Sequence, residues 1–72
     1  MNIEKVRESL ENKKGKKIHF KYNGARNQIE EFDGIIENTY NAIFTIRIDN
    51  SNNKIKSFTY SDVLTEILEL FS

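Results

Sequence analysis

The sequence has no cysteine and no proline, and only one histidine and three glycines in 72 residues. Without cysteine there is no disulfide staple and no thiolate metal site. A structural zinc is not expected either, because His19 is the sole histidine and carboxylates alone suit harder ions. With no proline, every turn must rest on Gly, Asn or Asp. No run approaches the roughly 20 apolar residues of a transmembrane helix. The N-terminal stretch MNIEKVRESLENKK lacks the apolar core of a signal peptide. A cytoplasmic location with no membrane contact is therefore expected. The motifs of catalysis are missing as well: no thiol, no second histidine, no Gly-rich phosphate loop and no nucleophile motif. The expectation is a non-enzymatic protein with no catalytic residues, no cofactor and no metal.

What remains is a single small domain, residues 1–72, near the lower size limit for folding alone. Its stability must come from apolar packing, to which three Tyr and five Phe contribute large areas, and from self-association. A homodimer is expected on that ground. The formal net charge is zero, yet the two signs are segregated. Residues 1–26 carry eight Lys/Arg and three acids, and residues 27–72 carry three Lys/Arg and eight acids. Such asymmetry fits a basic face for an anionic partner, or two halves that neutralise each other within one fold or between two copies.

Ile3, Val6 and Leu10 recur at helical spacing, so residues 2–11 read as a short helix with Asn2 as N-cap and Glu4 in the first turn. Ten residues do not hold a helix in water alone, so the stripe must dock, and Gly15 marks the stop. From Lys16 the period becomes two. Ile18, Phe20 and Tyr22 face one way, and Lys17, His19 and Lys21 the other. Asn23-Gly24 is the strongest hairpin signal. A second strand spans Gln28 to about Asn38, with a bulge expected at Glu30-Glu31 to restore the facing of Ile29. Gly34 within it predicts a bend or a close backbone approach, the device by which a small sheet curls into a barrel. Asn38–Asn41 reads as a turn, 42–49 as a strand, Asp49–Asn53 as a polar loop and Lys54–Tyr60 as a strand. SDVLTEILELFS fits either a helix capped by Ser61 or a turn followed by a fifth strand at Thr65–Leu70. One core is expected from Ile18, Phe20, Phe32, Ile36, Phe44, Ile46, Phe58 and Leu68, with Ile3, Val6 and Leu10 over an open end.

The stretch NKKGKKIHFKYNGARN, residues 12–27, holds six bases and no acid. Lys13, Lys14, Lys16, Lys17, Lys21 and Arg26 would form a contiguous anion-binding stripe, from the helix-to-strand junction to the hairpin tip. Small barrels bind RNA or single-stranded DNA through such stripes when aromatic rings supply stacking. Here Phe20 and Tyr22 face the core, which leaves Tyr40 as the exposed ring. An exposed ring near Lys17–Lys21 would favour nucleic acid, and a buried apolar two-fold contact would favour assembly. His19, between Lys17 and Lys21, is expected to have its protonated form disfavoured. Glu31 and Asp33 share a face, but Glu30 does not, so a hard-cation site is not expected.

The order and spacing of Lys14-Gly15-Lys16, Asn23-Gly24-Ala25-Arg26, Gly34-Ile35, Thr39-Tyr40, Phe44 with Ile46, and Tyr60-Ser61-Asp62-Val63-Leu64-Thr65 resembles the Veg family of small Gram-positive bacterial proteins. The resemblance covers nearly the whole chain. It implies a mainly β fold, an N-terminal helix followed by a five-stranded, bent antiparallel SH3-like or Sm-like barrel over about residues 16–71. It also implies a 3₁₀ turn at Ser61–Leu64 before a closing strand. Members of that family continue past the last strand, so a function borne on such a tail is not expected in this sequence. The resemblance implies a role in stimulating biofilm formation with no catalytic activity. The partner is then either a protein or, through the basic stripe, RNA or single-stranded DNA.

Overall fold

The computed structural model describes residues 2–49, 52 and 54–71, without the side chain of Arg26. Helix α1 spans Ile3–Asn12, and the Asn2 side chain caps it by accepting a hydrogen bond from the Lys5 N–H at 2.9 Å. Val6 and Leu10 are buried, and full burial of such side chains is worth about 1.5–3 kcal/mol each. Ile3 is 45% exposed, contrary to its expected place over the core. α1 docks on the five-residue helix α2, Tyr60–Leu64, which spans only about 7.5 Å against about 15 Å for α1.

Five strands follow the alternation of the sequence: β1 Lys17–Asn23, β2 Ile29–Thr39, β3 Ile43–Ile48, β4 Ile55–Thr59 and β5 Leu68–Phe71. They form one antiparallel sheet in the order β4-β3-β2-β1-β5. The sheet is strongly coiled. The rings of Tyr22 on β1 and Phe58 on β4 lie 5.7 Å apart, although β2 and β3 separate these strands. A flat sheet would hold them about 14 Å apart. The fold is barrel-like but open, with no ladder between β4 and β5 among the described residues.

The inner face carries the core. Ile18, Phe20, Ile36, Phe44, Ile46, Phe58 and Leu68 are buried as expected, joined by Tyr60 from α2. Phe32 is only partly buried, stacked between Phe20 and Phe58 at 5.4 and 6.2 Å. Gly34 marks a close approach of strands: a Cβ there would stand 2.6 Å from Ile46 Cγ2 and 2.9 Å from the Arg47 carbonyl oxygen.

Several local expectations are corrected. The β1–β2 ladder runs unbroken from Lys17↔Ile35 to Asn23↔Ile29, so there is no bulge at Glu30-Glu31. Ile29 simply faces solvent. The irregularity lies on the other edge of β2, where Glu37 is the extra residue between the pairs Ile36↔Ile46 and Asn38↔Thr45. The β1–β2 connection is not a two-residue Asn-Gly turn. It contains a 3₁₀ turn at Ala25–Asn27, and Asn27 rather than Gly24 takes the positive φ, 62°. The next turn falls two residues later than expected, with the Tyr40 N–H donating to the Ile43 carbonyl at 2.8 Å. In the loop expected at Asp49–Asn53, residues 50, 51 and 53 lie outside the described set. Thr59, not Ser61, caps α2, in a reciprocal capping box with Asp62. The tail is a helical turn followed by a strand, and α2 is α-helical rather than 3₁₀. Neither described helix is long and apolar enough to cross a membrane.

Candidate functional site

The basic residues occupy three settings. Lys13 follows the last turn of α1, and Lys14 and Lys16 are exposed in the link to β1. Gly15 between them adopts φ +83°, and its N–H donates to the Ile36 carbonyl at 3.2 Å, fastening the link to β2. Lys17 opens β1, and its Nζ lies 2.7 Å from Asp49 Oδ2. That bond raises the ammonium pKa above its ordinary value. Lys21 lies mid-strand and half-buried. Arg26 is in the 3₁₀ turn, and its side chain lies outside the described set.

Strand pairing adds acids to this face. Lys21 is opposite Glu31 on β2 and Glu69 on β5, and His19 is opposite Asp33 on β2 and Phe71 on β5. His19 Nδ1 lies 2.9 Å from Asp33 Oδ1, and Nε2 lies 2.8 Å from Glu31 Oε1. These hydrogen bonds, Glu31 first and Asp33 second, raise the imidazole pKa. The sequence expectation was the reverse. Lys17 and Lys21, two residues away along β1, disfavour the charged ring, but the carboxylates hydrogen-bonded across the ladder outweigh them. Glu30 is on the other face, as its position in the strand requires, and accepts from Lys56 Nζ at 3.5 Å. Glu37 at the bulge is bonded to Arg47.

Two rings are exposed among the described residues. Tyr40 is 52% exposed at its turn, as expected. Phe71 is 50% exposed, with its ring 6.1 Å from that of His19. Sequence phase alone did not place Phe71 beside β1. The signal became usable only once the tail was known to pair with β1 in the register His19↔Phe71.

No sequence signal marks the concave feature beside α1. A groove of about 370 Å³ opens between α1, α2 and β5. Val6, Leu10, Val63 and Leu70 form its apolar floor, and Lys5, Ser9 and Lys13 form its α1 rim. Asn23 helps to shape this end of the fold. Its side-chain amide donates to the Glu66 carbonyl at 3.1 Å and to Glu69 Oε1 at 2.9 Å, and its N–H donates to the Ile67 carbonyl at 2.7 Å. These bonds hold the α2–β5 link, in which Glu66 takes a positive φ of 64°.

A family model described as "Biofilm formation stimulator VEG" matches residues 1–71. No curated protein matches the chain.

Proposed function

This chain belongs to the Veg family, the biofilm formation stimulators, and we propose that it acts without catalysis, as a small regulatory module that binds a protein partner in a process linked to biofilm formation. The observation that carries this reading is the interleaving of carboxylates with the basic residues of β1. Glu31 and Glu69 flank Lys21, Asp49 holds Lys17, and Glu31 and Asp33 hold His19. A phosphate backbone laid along β1 would meet these carboxylates as well as the cations, and like charges brought together oppose association. A protein surface that carries both signs suits such a face. Both ring nitrogens of His19 are engaged, which leaves the only imidazole no free position from which to act as a base.

One observation favours a second reading. Phe71 offers an exposed ring beside His19, and Lys14 and Lys16 are exposed. A base stacked on Phe71 with its phosphates near these cations would be weak, sequence-tolerant recognition of RNA or single-stranded DNA. The test is recovery of the tagged full chain, with its partners, from cells that naturally produce it, with and without nuclease. The protein-partner reading expects the same companion proteins after nuclease treatment. Loss of every companion on nuclease treatment would instead support the second reading.

A further inference from the structure

We infer that the groove between α1, α2 and β5 is the docking site for an acidic amphipathic helix of a partner protein. The inference rests on the protein-partner reading above and gives that partner its chemistry.

The groove joins an apolar floor to a rim of one sign. Val6, Leu10, Val63 and Leu70 supply the floor, a surface that takes apolar side chains. Lys5 and Ser9 on α1 and Lys13 at its C-cap recur every four residues, which places them in one line beside that floor. Two cations thus stand at the ends of the line with a hydroxyl between them, about 12 Å apart along the helix axis. The acids of α1, Glu4, Glu8 and Glu11, fall on another flank of the helix at 3.6 residues per turn. Asp62, the acid of α2, is turned into the capping box with Thr59. The α1 rim is therefore cationic in a protein of zero formal charge.

A single-headed ligand such as a fatty acid would use one of the two cations. A helix laid along the groove uses both. Its apolar stripe, at i, i+3, i+4 and i+7, meets the floor, and carboxylates two turns apart on its flank meet Lys5 and Lys13.

The test is titration of the ¹⁵N-labelled full chain with designed helical peptides of about 15 residues. The peptides share one leucine stripe and differ only in carrying Glu, Gln or Lys on the flank. Laurate and an oligothymidine serve as further probes. The Glu peptide is expected to bind and to shift the amides of Val6, Ser9, Leu10, Val63 and Leu70. The Lys peptide should bind about tenfold more weakly or worse. The double variant Lys5→Glu/Lys13→Glu, at an exposed and a half-buried position, should invert that preference. Ser9→Trp, which replaces an exposed residue and fills the groove, should abolish binding while the thermal midpoint stays close to that of the wild type. No groove shifts with the Glu peptide at millimolar concentration would overturn the inference. So would indifference to flank charge, laurate binding in its place, or concentration-dependent shifts of the same amides without peptide, which would mark a second copy as the occupant. If the peptides fail but nuclease-resistant companions persist, the groove is the wrong surface and the protein-partner reading stands. If no companion survives nuclease, that reading itself fails.

Discussion

His19 and Asp33 face each other across the β1–β2 ladder, with Nδ1 2.9 Å from Oδ1, while Nε2 of the same ring lies 2.8 Å from Glu31. A neutral imidazole has one N–H and can donate to only one of these carboxylates, whereas the imidazolium donates to both. The arrangement therefore favours the charged ring, and its pKa is raised in the folded chain. A raised folded pKa gives stability that is fully present below the unfolded value, about 6.5. It is lost as the pH rises through the folded value. An NMR titration of His19 should show a midpoint above 6.5, lowered by Glu31→Gln and by Asp33→Asn. A midpoint at or below 6.5 in the wild type would contradict the geometry.

His19 also shows what the sequence made legible and what it did not. Alternation along each strand was readable, so Ile18, Phe20, Phe44 and Ile46 were assigned to the core and His19 to the outer face, where they are. Neighbours across strands were not readable, because they depend on register. The acids opposite His19 and Lys21 come from β2 and β5, and the bulge at Glu37 is defined only against β3. The groove was hidden for the same reason, since its walls come from residues 5–13 and 63–70. One miss was avoidable. Thr59-Tyr60-Ser61-Asp62 carries the capping-box spacing, and that signal names Thr59 as the cap ahead of Ser61.

Gly34 is held by crowding. A Cβ there would meet Ile46 Cγ2 at 2.6 Å and the Arg47 carbonyl oxygen at 2.9 Å, and backbone yields less readily than a side-chain tip. Gly34→Val should destabilise the fold by an amount at the upper end of the about 1–3 kcal/mol typical of overpacking. Chemical denaturation measures this, and an unchanged midpoint would remove the close approach of β2 and β3 as a constraint on residue 34.

Phe44 is fully buried and stacks on Tyr60 at 5.6 Å, with Phe58 at 6.2 Å on another side. Phe44→Ala leaves a cavity at the meeting point of β3, β4 and α2 and should cost about 3–5 kcal/mol. A loss under about 1 kcal/mol would mean that β3 faces the other way.

Tyr60 carries a hydroxyl into the core, and its Oη donates to the Tyr40 carbonyl at 2.6 Å, which ties α2 to the β2–β3 turn. Burial raises the pKa of this hydroxyl above its ordinary value. Tyr60→Phe keeps the ring packing and loses the bond, and it should cost about 1 kcal/mol. Amide exchange around Tyr40 should rise in the same variant. Wild-type exchange there together with unchanged stability would show that the bond contributes nothing.

Under the proposed function, this Veg-family chain acts by holding a protein partner rather than a nucleic acid. The test is photo-crosslinking inside cells that naturally produce it, with a small alkyl-diazirine residue, short enough to leave the groove open, placed at Ser9 or with the same residue placed at Lys16 in the basic link. The protein-partner reading expects an adduct from position 9 that protease destroys and nuclease leaves intact, and little from position 16. An adduct confined to position 16 and removed by nuclease would contradict it.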